Sequence, residues 1–251
     1  MIGELLVVVY ILLAVVLGIG VFTKTLSWLA ETDRVVFPPS RVSILGWGLV
    51  AFVSALFLEF SIIYPFWGSS AMLLLLAIAV GPIEEGSKLL PYLLIKNGDE
   101  MSRWYITLRA SLVFGLMEAA LYFLVLLSRG NLIGGLLRAI VAMYHVAWTA
   151  IALEDALKGS LLRGYLRASL LHGLYDAPVL LLYFSGSFAG LLALGGMWAV
   201  VYLYRSLDEA FGFAVRYRTK LLERRTNAEG MGGSWESNEG EKTGEGFSSW
   251  P

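Results

Sequence analysis

Residues 71–95 read AMLLLLAIAVGPIEEGSKLLPYLLI, an apolar run of membrane-spanning length with Glu84, Glu85 and Lys88 set inside it. A spanning helix needs about 20 predominantly apolar residues. This run reaches that length only by carrying its charges into the hydrocarbon. There an ionised group at a helix centre costs about 2.5–3.5 kcal/mol on insertion scales. Groups of this kind face a protein interior or a water-filled cavity rather than lipid. The stretch therefore predicts an all-α, polytopic membrane protein with a polar site enclosed by its helices.

Six further apolar runs flank it, at roughly 4–22, 43–65, 108–128, 132–155, 165–185 and 187–205, which makes seven spans. The connections test this number. Lys24, Arg34 and Arg41 follow the first span, Lys96, Arg103 and Arg109 the third, and Lys158, Arg163 and Arg167 the fifth. Arg205, Arg216, Arg218, Lys220, Arg224 and Arg225 follow the seventh, whereas the alternate connections hold only Arg129. Lys and Arg concentrate on the cytoplasmic side, so the alternation predicts a multi-pass cell-membrane protein with its N-terminus outside and its C-terminus cytoplasmic. The first charge is Glu4. Residues 1–22 thus lack the basic n-region of a secretory signal and read as a span.

Composition agrees. The chain is 57% hydrophobic and 16% charged, with a mean hydropathy of +0.70, against about 25% charged in a typical soluble domain. A net charge of −1 gives no field for nucleic acid. The absence of Cys excludes disulfides, thiolate nucleophiles and Cys-type zinc sites. Residues 1–206 read as the transmembrane domain, with its core site region at 70–180. Residues 207–225 read as a basic amphipathic juxtamembrane segment, and 226–251, rich in Gly, Ser and Glu, as a disordered tail. No internal repeat or soluble domain is evident.

The intramembrane polar residues are Glu84, Glu85 and Lys88, then Glu118, then His145, then His172 with Asp176. At 1.5 Å rise per residue, Glu84 and His145 lie about 20 Å from the outer ends of their spans and Glu118 about 15 Å from the inner end. His172 and Asp176 lie about 10 and 16 Å from the inner end. Four helices thus bring polar groups to one layer near the midplane. His172 and Asp176, four apart, share a face, as do Glu84 and Lys88 in the favourable Glu-first order. Pro82 and Pro178 each remove a helical N–H, which would free the carbonyls of Ile78 and Leu174 to line a polar cavity. Singly, each residue has an ordinary reading: a packing histidine, a structural ion pair, an aspartate that orients its neighbour. Together they read as a site. Glu59 and Arg138, toward the outer ends of the second and fifth spans, read as a packing pair, and Glu154 and Asp155 as solvated.

Two chemistries use these residue types. In one, some of Glu84, Glu85, Glu118, His145, His172 and Asp176 bind zinc or another divalent metal, which commonly takes three N/O ligands plus an activated water. In the other, a glutamate activates water and the histidines hold the developing oxyanion. There is no HExxH pair, and residue spacing leaves both open.

Gly81-Pro-Ile-Glu-Glu-Gly-Ser-Lys88 resembles the Glu-Glu-x-x-Lys motif of the PrsW-type intramembrane proteases. Phe114-Gly-Leu-Met-Glu118 is similar to their second motif, His145-Val-Ala-Trp-Thr149 to the third, and His172-Gly-Leu-Tyr-Asp176 to the fourth. The order and helix placement match over about residues 70–180. The wider superfamily includes CAAX prenyl endopeptidases and bacteriocin-immunity-type proteins. These more often carry Arg after the Glu pair and His in the second motif, so Lys88, Glu118 and Asp176 resemble the PrsW branch. Family members often have Asn after the second-motif Glu. Ala119 stands there instead, a departure that touches substrate binding more than the hydrolytic core.

The resemblance implies a membrane-embedded endopeptidase, grouped with the metalloproteases, acting on a membrane-anchored protein. The best-known members cut an anti-sigma factor. It implies that Glu84 or Glu85 activates water, that Glu118, His145 and His172 bind a metal or polarise the carbonyl, that Asp176 orients His172 or completes a metal shell, and that Lys88 tunes the Glu pair. Two other classes use similar residues: a proton- or ion-coupled transporter, and a non-catalytic membrane binding or immunity protein. Substrate identity and oligomeric state are not legible.

Overall fold

The computed structural model describes residues 2–35, 41–96, 98–181 and 186–236, which are helical almost throughout. The helices are α1 (Ile2–Val35), α2 (Arg41–Ile63), α3 (Ser70–Lys88), α4 (Leu90–Leu94), α5 (Glu100–Ser128), α6 (Leu132–Leu157), α7 (Leu161–Leu180) and α8 (Gly186–Glu236), with a 3-10 turn at Tyr64–Phe66. The described residues form an all-α fold, as the membrane-length apolar runs predict.

Local chemistry sets the boundaries. Asp99 caps α5 by accepting from the Ser102 amide at 2.7 Å, and Asn131 caps α6 by accepting from the Gly134 amide at 2.8 Å. Both helices end in the same motif. Gly130 and Gly159 take positive φ, 74° and 87°. The following amides bond back to Leu126 and Asp155, each at 2.9 Å, which satisfies terminal carbonyls.

Among the described residues five helical stretches are long and apolar enough to cross a membrane: Ile2–Arg34, Ser43–Phe66, Glu100–Ser128, Leu132–Leu157 and Phe188–Arg224. The remaining long helices, α3 and α7, fall short because they carry the site's charges together with Arg163 and Arg167. Outward surfaces are apolar, with Phe57 69% and Leu124 64% exposed, while Glu84, Glu85, Lys88, His145 and His172 are buried. That inverts the pattern of a water-soluble domain.

Helix α6 is the axis, buried without interruption from Ala142 to Leu157 and packed against α1, α5, α7 and α8. Helix α3 lies on α7 and α2. Two glycines permit the close approaches that matter for the site. A Cβ at Gly81 would run into the Ser169 carbonyl and come within 2.9 Å of the Gly173 nitrogen on α7. A Cβ at Gly115 would lie 2.8 Å from the Ala142 carbonyl and 3.1 Å from the His145 ring. Small residues let backbones come together where apolar lipid gives helices no hydrophobic drive to associate.

Several expectations change. The run 71–95 is not one helix: α3 stops at Lys88 and α4 begins before Pro91, which has no amide to continue the ladder. Helix α5 starts at Glu100, so Arg103 and Arg109 sit on a helical extension instead of in a loop. Residues 207–225 are not a separate surface segment. They continue α8, and Leu207, Ala210, Phe211 and Ala214 are buried in the main core. Lys24 and Trp28 of α1 hold Asp208 at 2.6 and 3.0 Å, and Tyr217 donates to Glu100 at 2.6 Å. Helix continues to Glu236 in the region read as disordered, and residues 237–251 lie outside the described residues, as do 182–185 of the sixth expected span.

Glu154 and Asp155 are buried, each 3% exposed, where solvation was expected. Lys158 holds Glu154 at 2.5 Å, and Arg167 reaches Asp155 at 3.2 Å and Glu154 at 3.4 Å. Arg167 also donates to the Tyr202 hydroxyl at 2.5 Å. This network fastens α6, α7 and α8 together at their shared end.

Candidate functional site

Adjacent residues on a helix point about 100° apart, and α3 uses that offset to give Glu84 and Glu85 different surroundings. Glu85 turns inward and is fully buried. It accepts from the Lys88 ammonium at 2.5 Å and lies 2.8 Å from His172 Nδ1. The expected Glu84–Lys88 pair is not the one that forms: Lys88 pairs with Glu85, three residues back, and its ammonium also lies 3.0 Å from His145 Nδ1.

Glu84 turns toward a cavity of about 610 Å³ that it lines together with Glu118 and Asp176. Its Oε2 is buried and has no hydrogen-bond partner. That oxygen lies 3.5 Å from His145 Nδ1 and 3.7 Å from His172 Nε2, beyond hydrogen-bond length for both. His172 faces carboxylates at both nitrogens, Glu85 at Nδ1 and Asp176 at 2.9 Å from Nε2. Only the doubly protonated ring donates to both at once. Glu118 closes on His145 Nε2 in an ion-pair contact without hydrogen-bond alignment. The four helices α3, α5, α6 and α7 thus bring all seven sequence-predicted residues into one connected cluster.

Aromatic packing fixes the imidazoles. Trp148 stacks on His172 with ring centroids 4.1 Å apart and planes 15° from parallel, and Phe114 and Trp148 flank His145 at 5.3 and 5.5 Å. Trp148 is three residues from His145, on the same face of α6. That spacing is the signal that could have singled it out, although an aromatic at helical spacing reads first as core.

The donor set suits a metal. Glu84, His145 and His172 each present a ligand atom, all within 4.8 Å of one another. Tetrahedral zinc with bonds of about 2.0–2.1 Å sets its ligands about 3.3 Å apart. The observed 3.5 and 3.7 Å are close to that spacing. A bridging water at ordinary hydrogen-bond lengths would hold its partners about 4.5 Å apart. An unpartnered carboxylate oxygen between two imidazoles fits the ion. Lys88 opposes it at His145 Nδ1 and Asp176 occupies His172 Nε2, and both contacts would have to be given up for the imidazoles to ligate.

Residues from outside the motifs also join the cavity wall. Glu59 of α2, Tyr122 of α5 and Arg138 of α6 all line it. The expected Glu59–Arg138 pair is not present among the described residues. Arg138 lies over the Tyr122 ring at 3.7 Å, Glu59 Oε1 has no hydrogen-bond partner, and Glu59 neighbours Glu84 and Glu118. The Leu174 carbonyl, expected on the cavity because of Pro178, faces Gly196 of α8 instead. Helix α3 passes through Pro82, whose carbonyl accepts from the Tyr165 hydroxyl at 3.2 Å.

The chain matches no protein-family model, no curated protein and no solved structure.

Proposed function

We propose that the protein is an intramembrane endopeptidase of PrsW type that hydrolyses a peptide bond in a membrane-anchored protein. In this reading α3 and α7 cross the bilayer with the five apolar stretches, giving seven spans with the N-terminus outside and the C-terminal end of α8 cytoplasmic. The observation that carries it is Glu84: a buried carboxylate oxygen without a hydrogen-bond partner, between two imidazoles, at a cavity large enough for a peptide backbone.

The roles follow from the contacts. Glu84 is the base: it takes a proton from water as the water oxygen bonds to the scissile carbonyl carbon. It then returns that proton to the leaving amine as the C–N bond breaks, so a carboxylate and an amine are formed. Glu85 does not line the cavity and is committed to Lys88 and His172, so it positions the ring instead of meeting water. His172, held by Glu85 and Asp176, and His145, held by Lys88 and Glu118, stand behind Glu84, and each would release one of those contacts to turn an N–H toward the carbonyl oxygen as negative charge develops there. Glu84, His145 and His172 are the residues that would hold a divalent metal, which when bound lowers the pKa of water and polarises the carbonyl.

The test is cleavage of membrane-inserted peptide libraries by the reconstituted protein. Loss of a general base costs about 10²–10⁴ in rate, so Glu84→Gln should lose at least that much while still inserting. Elemental analysis separates the two chemistries. Stoichiometric zinc that disappears in Glu84→Gln assigns the three ligands, and cleavage by metal-free protein assigns water activation to Glu84 alone. Ion transport without hydrolysis would replace the peptidase reading with the transporter.

A further inference from the structure

The cavity holds more carboxylates than the hydrolytic cluster uses. Among the described residues, Glu59, Glu84, Glu118 and Asp176 line it against one cation, Arg138. Three have work to do: Glu84 faces the two imidazoles, Glu118 contacts His145, and Asp176 contacts His172. Glu59 contacts neither histidine in any described ion pair and has the Glu84 carboxyl as its hydrogen-bond neighbour. It comes from α2, outside the motifs, and its Oε1 is buried with no hydrogen-bond partner. Tyr10, Tyr122 and Tyr175 add aromatic walls, and Tyr122 already carries a guanidinium on its face. Spare carboxylate and tyrosine faces in a low-dielectric enclosure are the surroundings that receive an ammonium or guanidinium, by direct pairing and by cation–π attraction. Glu59 shares a side-chain hydrogen bond with the Glu84 carboxyl, which leaves its Oε1 for a group that enters the cavity.

We propose that Glu59 is a specificity residue that receives the Lys or Arg side chain of a substrate residue adjoining the scissile bond. The assignment rests on the peptidase reading and deepens it. Glu59 neighbours Glu84, so the side chain it binds belongs to a residue directly flanking the bond that Glu84 hydrolyses. A basic side chain at membrane depth is costly in lipid, and pairing with Glu59 removes that cost only for substrates that enter this cavity.

The experiment uses the full chain in proteoliposomes. The substrates are membrane-inserted peptides that differ only at the residues flanking the cleaved bond: Lys, Arg, norleucine or Glu. Wild type should favour Lys and Arg over norleucine in kcat/KM by a factor on the order of 10–100, with Glu slowest. Glu59→Gln should level the series, and Glu59→Lys should invert it toward Glu. A merely structural role for Glu59 would slow every peptide alike and leave the ratios unchanged, and that result overturns the proposal. Wild-type cleavage without preference for a basic residue also overturns it, while leaving the peptidase reading in place. No cleavage of any peptide overturns both. If Glu59→Lys does not fold, the wild-type series and Glu59→Gln still decide.

Discussion

Glu84 and Glu85 are chain neighbours, yet one meets the cavity and the other holds a buried lysine. The contrast makes their substitutions separable. Removing one partner of a buried ion pair strands the other, typically at a cost of about 3–5 kcal/mol, whereas replacing both with apolar groups is often neutral. Glu85→Gln should therefore lower the unfolding midpoint in detergent sharply, because the Lys88 ammonium is fully buried. Glu85→Leu combined with Lys88→Met should recover most of the loss without recovering activity. Glu84→Gln should lower the midpoint less than Glu85→Gln, since its Oε2 makes no hydrogen bond that would be lost and an amide can still bond to Glu59. An unchanged midpoint for Glu85→Gln would remove the structural role given to the pair. The sequence made these residues visible because charge inside an apolar run is conspicuous. It did not reveal which carboxylate took which partner: i,i+3 and i,i+4 spacing both allow a pair, and the neighbouring helices decide.

Helix approach sets the site's dimensions. Gly81 lets α3 sit against the α7 backbone at Ser169 and Gly173, which keeps Glu84 and Glu85 within reach of His172. The backbone atoms that a Cβ would meet have little freedom to yield. Gly81→Ala should cost about 1–3 kcal/mol as an overpacking change and lower hydrolysis although it alters no polar group. Thermal unfolding and peptide cleavage check both, and a variant with wild-type stability and rate would mean that the approach is not needed. At this scale the sequence was partly legible. Apolar runs marked the helices, and the motif residues fell on one layer. The α5 extension from Glu100 and the continuity of α8 escaped because their polar residues resemble loop and tail. They are helical through contacts with distant chain, such as Tyr217 with Glu100 and Trp28 with Asp208. Glu154, Asp155, Glu59 and Arg138 were visible as charges. Their surroundings depend on which helix faces lie together, and periodicity within one helix cannot supply that.

The whole molecule presents apolar surface outward and polar groups inward, around an axis at α6. Among the described residues five stretches have the length and apolarity to span, and the other two long helices carry five of the cluster's seven residues, so the seven-span topology stands or falls with α3 and α7. The chain has no native Cys, which allows single-cysteine labelling without background. Trp67→Cys, before α3, should react with a membrane-impermeant thiol reagent added outside intact cells, and Gly159→Cys, between α6 and α7, should react only after permeabilisation. Outside labelling of Gly159→Cys would contradict the proposed orientation. The central claim is that Glu84 directs water onto a peptide carbonyl inside this bundle. Its most direct test is cleavage of a membrane-inserted peptide in oxygen-18 water by reconstituted wild type and Glu84→Gln, with the products read by mass spectrometry. The account predicts oxygen-18 in the newly formed carboxylate with wild type and a product yield at least about 10²-fold lower with Glu84→Gln. Equal product from the two proteins, or cleavage without label uptake, would contradict it.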